Sequence, residues 1–279
     1  MPELPEVETI RRDLEKGVVG RRVKSVEVLG KRSVRRHESP SELVDMLEGR
    51  RVGSIRRSGK YLLIGLDGDV LLVVHLGMSG QLLWVKNPKE PLADHTHVLV
   101  TFTQGGQLRF VDPRTFGEMF AIPASEVPER FPELARLGFD PLEDVMSWVR
   151  FGELLSRRAT GLKNLLTDQG FVAGIGNIYS DEILFAAGLR HDRLSSSLSS
   201  QEVRRLYRAM VETLSDAVKH RGSSLADEQY RDIFGETGDY QGQHQVYGRE
   251  GQPCRRCHAP IAREKISGRS TYFCPRCQV

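Results

Sequence analysis

YLLIGLDGDVLLVVH, residues 61–75, holds two apolar runs, Tyr61 to Leu66 and Val70 to His75, parted by the polar tripeptide Asp67-Gly68-Asp69. Short apolar runs bounded by turn residues are the signature of strands. Working outward, Val23 to Leu29, Leu82 to Val85, His97 to Thr103, Gln107 to Val111 and Glu118 to Ile122 repeat the pattern, each punctuated by Gly, Asp or Asn. Together they predict an antiparallel β sandwich or barrel. A stretch rich in Pro and Glu, Pro123 to Pro132, closes this half of the chain.

A helix is predicted ahead of the strands, from Pro5 to Lys16. Proline suits a first helical turn, Val7, Ile10 and Leu14 share a face, the acids come early and the bases late, and Gly17 can cap the end. Past about Pro141 the periodicity becomes helical, most clearly in Ser200 to Arg221, where Val203, Leu206, Tyr207, Met210, Leu214 and Val218 recur at three- and four-residue steps. A polar, glycine-containing loop follows at Gly235 to Gly242. The expectation is an α+β multidomain protein: an N-terminal antiparallel β sandwich with flanking helices (1–130), a helical domain (131–243) and a cysteine module (244–279).

The 40 basic and 37 acidic residues leave a net charge of only +3, so no strong overall field points to a polyanion. The distribution is more informative. From Glu250 to Val279 six basic residues face two acidic ones, a local +4 that leaves the rest of the chain at −1. A basic module on a near-neutral body suits a polyanionic partner, though a solvated tail would look the same. The N-terminus lacks the basic start and apolar run of a signal peptide, and the longest apolar stretch, Val70 to Val74, is too short to cross a bilayer. A soluble, cytoplasmic protein is expected.

All four cysteines lie in that tail, as Cys254-x2-Cys257, sixteen residues, then Cys274-x2-Cys277. Two close thiolate pairs complete a closed tetrahedral Zn2+ site, which leaves no open position for a reacting water. One structural zinc is expected, with a hairpin between the pairs presenting basic residues. Modules of this kind also mediate protein contacts, so the finger alone does not decide between DNA and protein.

The opening PELPEVETI, residues 2–10, can be read chemically. An α-amine has a pKa near 8, about 2 units below lysine, so more of it is unprotonated at neutral pH. With Met1 removed, Pro2 would offer a secondary amine, whose attack on a sugar C1′ gives a permanently charged iminium that favours eliminating phosphates. Glu3 and Glu6 stand nearby as proton carriers. Read locally, however, Pro and Glu here are also ordinary chemistry for a helix start.

The combination is more specific. PELPEVET at the N-terminus, HLGMSG at 75–80, DPRTFG at 112–117, GIGNIYSDE at 174–182 and the terminal four-cysteine finger, in this order, resemble the formamidopyrimidine-DNA glycosylase family (Fpg, or MutM) essentially end to end. The opening looks like that branch rather than the endonuclease VIII branch. The resemblance implies a β sandwich, a helix-two-turn-helix module and a zinc finger gripping damaged double-stranded DNA across an interdomain cleft. The enzyme would act as a monomer, at the nucleoid in a bacterium. It also implies roles for residues. Pro2 matches the Schiff-base nucleophile, Glu3 the proton donor in base excision and Glu6 a supporting acid. Lys60, in SGKYLLI, matches a lysine assigned to β-elimination, and Arg269, in GRSTYFC, an arginine assigned to δ-elimination.

Extruding a base leaves a gap to be filled. Met78, Arg114 and Phe116 match the family's wedge, although on sequence alone Met78 and Phe116 read rather as sandwich core. Thr115 stands where many relatives have a second arginine. His95 and Arg158 match DNA-backbone contacts, while Gly174, Gly176 and Asn177 precede a helix whose start can meet a phosphate, with Tyr179 in the same signature. The pair His95 and His97 lacks the further ligands of a metal site, and GIGNIYS lacks the last glycine of a dinucleotide fingerprint. The implied activity is removal of formamidopyrimidines and 8-oxoguanine followed by β,δ-elimination. The alternatives are an oxidised-pyrimidine glycosylase of the endonuclease VIII type and a non-catalytic zinc-ribbon DNA binder. The clearest departure, at 222–240, falls where many relatives have a shorter loop that closes over the extruded base.

Overall fold

The computed structural model describes residues 1–225 and 229–279, and Ala226, Asp227 and Glu228, within the divergent loop, lie outside the described residues. Two compact units result, one of residues 1–135 with 220–239, the other of 136–219 with 240–279.

In the first unit helix α1 spans Leu4–Val18 and buries Leu4, Val7, Ile10, Leu14 and Val18. It runs past Gly17, the expected cap, because burying Val18 offsets the roughly 1 kcal/mol that an interior glycine costs. Then come β1 (Val23–Val28), α2 (Pro40–Leu47), β2 (Val52–Ser58), β3 (Tyr61–Leu66), β4 (Val70–His75), β5 (Gln81–Val85), β6 (Thr96–Phe102), β7 (Gln107–Val111) and β8 (Glu118–Pro123). They pair antiparallel as two four-stranded sheets, ordered β1-β6-β7-β5 and β2-β3-β4-β8, which is the expected sandwich rather than a closed barrel.

The main core includes Val26, Val98 and Phe110 of one sheet and Leu62, Val74 and Met119 of the other. The outer side of β3-β4-β8 is covered too, by Phe131 at the junction of the short helices α3 (Val127–Arg130) and α4 (Pro132–Ala135), which packs with Leu63, Val73 and Phe120. A sheet buried on both faces needs apolar residues at every position, which is why 61–75 reads as unbroken apolar runs rather than alternation.

Strand β2 carries no such signal. Its Arg57 side chain is fully buried and pairs with Glu8 of α1 at 3.1 Å, while its guanidinium also donates to the Gly59 carbonyl at 3.1 Å. Burying these charges is tolerable because each has its partner. The pair fixes α1 to the β2–β3 turn, which carries Lys60.

In the second unit α5 (Trp148–Ser156), α6 (Leu162–Thr167), α7 (Asn177–Ala187) and α8 (Ser200–Lys219) precede a hairpin, β9 (Ala262–Ile266) and β10 (Arg269–Phe273). Helix α7 is buried nearly all round. Its Glu182 accepts the N–H groups of Gln245, Val246 and Tyr247 at 2.8, 3.0 and 2.8 Å, while Lys163 of α6 donates to Asp181 Oδ1 at 2.6 Å and Tyr272 N–H to Oδ2 at 2.9 Å. Two neighbouring carboxylates of α7 thus tie the helices to the C-terminal module.

Candidate active site and zinc centre

Glu3 is the N-cap of α1 and forms a reciprocal box with Glu6, whose Oε2 accepts the Glu3 N–H at 2.7 Å. Such boxes usually lie in solvent, but here Glu3 is 3% and Glu6 1% exposed. Capping alone is worth only about 1 kcal/mol, less than the desolvation of two carboxylates, so helix formation does not by itself explain these residues. Pro2 is buried beside them, whereas Met1 projects at 51% exposure. Oε1 of Glu6 accepts the Ser223 N–H at 2.8 Å, which brings a segment 217 positions away onto the first turn of α1.

Lys60, 7% exposed, follows Gly59 at the β2–β3 turn, which Arg57 and Glu8 hold beside α1. Its charge is felt at His75 of β4, whose ring lies 4.8 Å from that of Tyr61. Burial, with help from Lys60, Arg35 and Arg36 and against the pull of Glu118, lowers the His75 pKa from 6.5 to about 4. Protons therefore bind the unfolded chain in preference, so this contribution to stability is complete above pH 6.5 and is lost as pH falls through 4. The shift corresponds to about 3 kcal/mol. Chemical denaturation at pH 7.5 and 4.5 is expected to show a smaller acid loss in His75→Gln than in the unsubstituted chain; equal losses would refute the assignment.

Met78 and Phe116 are not core residues. They are 37% and 46% exposed, and the Arg114 guanidinium lies 5.1 Å from the Phe116 ring centre. Their turns meet backbone to backbone: a Cβ at Gly77 would stand 2.5 Å from the Gly117 nitrogen, so only glycine fits. Asp112, fully buried, fastens the contact. One carboxylate oxygen accepts from Ser79 Oγ at 2.6 Å and the other from the Gly117 N–H at 2.7 Å. With both turns fixed, the apolar side chains between them are left facing solvent. Thr115 and His95 take positive φ values of 53° and 63°, and the exposed His95 gives its carbonyl to the Asp112 N–H at 3.0 Å.

In the second unit Asn177 opens α7 and its Nδ2 donates to the Ser270 carbonyl at 2.9 Å, joining the helix start to β10. The Arg158 side chain is 54% exposed, 3.9 Å from Asp168. Tyr179 is fully buried, its ring 5.8 Å from that of Tyr240, so it packs the helix from within rather than presenting its ring to solvent. Arg269 is exposed at the start of β10, after a turn in which Ser267 and Gly268 both have positive φ.

The four cysteine sulfurs lie within 4.8 Å of one another, with Cys254 and Cys277 3.9 Å apart and Cys257 and Cys274 3.5 Å apart. Tetrahedral Zn–S bonds of about 2.3 Å require edges of roughly 3.8 Å, so the cluster fits zinc. Burial opposes ionisation of Cys254, but the Cys257 and Arg256 amides bring its thiol down to about 7. Among the described residues no other group of three or more potential ligands gathers, which sets aside His95 with His97.

Sequence reading missed Glu8, Arg57, His75, Asp112 and Ser223 as supports of these positions. Glu8, His75 and Asp112 lay within the motifs PELPEVETI, HLGMSG and DPRTFG, whereas Arg57 and Ser223 lay outside them.

Comparison with known proteins gives a consistent result. Residues 1–119 match the formamidopyrimidine-DNA glycosylase N-terminal domain, residues 137–229 the H2TH domain of the same proteins, and residues 251–279 the zinc finger found in FPG and IleRS. A curated relative from Heliobacterium modesticaldum, named formamidopyrimidine-DNA glycosylase, is 45% identical with both chains fully covered. The solved MutM (Fpg) protein from Thermus thermophilus is 42% identical, with a TM-score of 0.88 and coverage of 99% of this chain and 98% of that one. Lactococcus lactis Fpg, solved in complex with an abasic site containing DNA, is 36% identical, with a TM-score of 0.89 and 99% coverage of both chains.

Proposed function

This chain belongs to the formamidopyrimidine-DNA glycosylase family, and on that footing we propose that it removes formamidopyrimidines and 8-oxoguanine through a Schiff base on Pro2. It is a DNA glycosylase of base excision repair, from a family in which abasic-site lyase activity is typical, and its four-cysteine finger supports a structural zinc.

In the proposed reaction the Pro2 nitrogen lone pair attacks C1′ as the bond from C1′ to the base breaks, and Glu3 supplies the proton that the departing base takes. The proton of the new C1′–N ammonium passes to O4′ as the C1′–O4′ bond opens, which leaves the iminium. This acidifies the C2′ proton, which passes to water as the C3′–O bond breaks and one phosphate leaves by β-elimination, with Lys60 as cationic donor. Arg269 holds the second phosphate through δ-elimination, leaving a one-nucleotide gap. Arginine suits that role because its planar fork pairs with two phosphate oxygens at once. Met78, Arg114 and Phe116 fill the gap left by the extruded nucleotide. His95, Arg158 and the Asn177 helix start hold the DNA backbone, with Tyr179 supporting α7 from within. Zinc, when bound, cross-links the two thiolate pairs and does no chemistry.

We assign these tasks to segments 1–130, 131–243 and 244–279, and place the enzyme in the cytoplasm as a monomer. No described helix is long and apolar enough to cross a membrane. The observation that carries the reading is the pair of buried carboxylates, Glu3 and Glu6, beside Pro2, a costly arrangement for a helix cap. Borohydride trapping on a duplex containing 8-oxoguanine tests it. The unsubstituted protein is expected to give a covalent complex and Pro2→Gly to give none; the same complex from Pro2→Gly would overturn the mechanism, and none from either would favour a non-catalytic binder.

A further inference from the structure

Arg221, which follows α8, has a φ of 59°, a left-handed conformation that costs a non-glycine residue about 1 kcal/mol or more. The position is one past the C-cap of α8, where helices commonly close with a left-handed residue, usually glycine; an arginine there bears the steric cost, and the compensation lies in its side chain. The guanidinium lies between two carboxylates. It donates to Asp13 of α1, through contacts that include Nη2 to Oδ2, and to Asp232 Oδ2 through Nε at 3.0 Å and Nη2 at 2.5 Å. Asp13 is 8% and Asp232 1% exposed, so each needs a cation. The other oxygen of Asp232 accepts the N–H groups of Phe234 and Glu236 at 2.8 and 3.0 Å. One carboxylate therefore folds residues 232–236, and Arg221 pins that fold to α1.

The residues after Arg221 run directly to the candidate site. Gly222, at φ 79°, leaves room where a Cβ would lie 2.5 Å from Glu6 Oε1, and Ser223 donates its N–H to that oxygen. Tyr230, 6% exposed, returns its hydroxyl to the Arg221 carbonyl at 3.0 Å. The outer edge of β5 holds the far side, through the Trp84 N–H on the Ile233 carbonyl at 2.6 Å and Gln81 on the Gln229 carbonyl at 2.9 Å.

We propose that Arg221 is a positioning residue for base excision: by clamping Asp13 to Asp232 it holds Gly222 and Ser223 against Glu6, backed by the 232–236 turn, as a wall of the pocket that receives the extruded base. This rests on the reading of Pro2, Glu3 and Glu6 given above. The bond between Glu6 and the Glu3 N–H is internal to the first turn of α1 and does not depend on the clamp. Loss of the clamp shifts the wall and leaves the amine where it was, so chemistry that must hold a base is impaired while chemistry on a sugar without one is spared.

The test compares Arg221→Ala with the unsubstituted protein on two duplexes, one with 8-oxoguanine and one with a preformed abasic site. Excision of 8-oxoguanine is expected to lose about tenfold or more in kcat/KM, since a displacement of about 1 Å can cost a hundredfold. Abasic-site cleavage should stay within about twofold. Arg221→Gly removes the clamp and the backbone strain together, so it is expected to regain thermal stability over Arg221→Ala without regaining excision. Asp232→Asn, which keeps the shape of the turn, should repeat the selective loss and serves if Arg221→Ala does not fold. Equal losses on both duplexes, no loss on either, or recovery of excision in Arg221→Gly would overturn the proposal. Failure of the unsubstituted protein to cleave the abasic duplex would instead sink the Pro2 reading beneath it.

Discussion

A chain that keeps Met1 is expected to leave no borohydride-trapped complex with damaged DNA and to lose base excision and strand cleavage together, by roughly a thousandfold or more, the scale of removing a covalent nucleophile. In such a chain the Pro2 nitrogen belongs to a peptide bond, its lone pair is delocalised into the carbonyl, and it cannot form an imine. Glu3 and Glu6 would still cap α1, so fold and DNA affinity should survive, and a gel-shift measurement separates this outcome from unfolding. Pro2→Gly tests the same atom differently. Once Met1 is gone it leaves a primary amine, whose imine can lose its proton and with it the charge that borohydride reduction and elimination both draw on, whereas the iminium of a secondary amine cannot. The intact mass of the purified protein should accompany the trapping, because one methionine distinguishes the active amine from the blocked one. Full activity in chains shown to carry Met1 would refute Pro2 as the nucleophile and turn attention to a lysine.

How much of this could be read from the sequence depended on whether local chemistry agreed with the fold. The 61–75 hairpin was legible because both faces of its sheet are covered, so apolar character persists at every position. Strand β2 was not, since Arg57 occupies a buried position and reads as polar until Glu8, 49 residues earlier, is seen opposite it. The four cysteines were legible because a tetrahedral site imposes short, paired spacing. Met78 and Phe116 were ambiguous for the opposite reason: apolar residues ordinarily go inside, and only the backbone contact between Gly77 and Gly117, fastened by Asp112, leaves them exposed. Tyr179 looked like part of a DNA-facing signature and is instead buried in α7. The clamp at Arg221 joins residues 208 positions apart and has no local signature. Sequence patterns record which residues a backbone element favours, and they are nearly silent about which distant side chain neutralises a buried charge.

Zinc removal should produce the second large effect. The C-terminal module has only a small core of its own, in which Cys254 and Cys274 pack with Val246, Ile261 and Phe185 of α7, and in small modules of this kind bound zinc supplies roughly 10–16 kcal/mol of folding free energy. Without the metal the two thiolate pairs repel, and the hairpin of β9 and β10 is left with five paired positions and no staple. Arg269 stands at the start of β10, so its placement against a phosphate depends on that hairpin. Chelation, or Cys257→Ser, is therefore expected to weaken DNA binding and to lower strand cleavage by about a hundredfold or more, because a positioning group displaced by about 1 Å already costs that much. The sandwich of residues 1–135 has its own continuous core and should keep its strand signal in circular dichroism. Atomic absorption should find one zinc per chain before treatment and none after. A metal-free protein that still bound damaged duplex at full strength and still produced both elimination products would show that the cysteines have some other purpose, and that Arg269 is not the group that finishes the reaction.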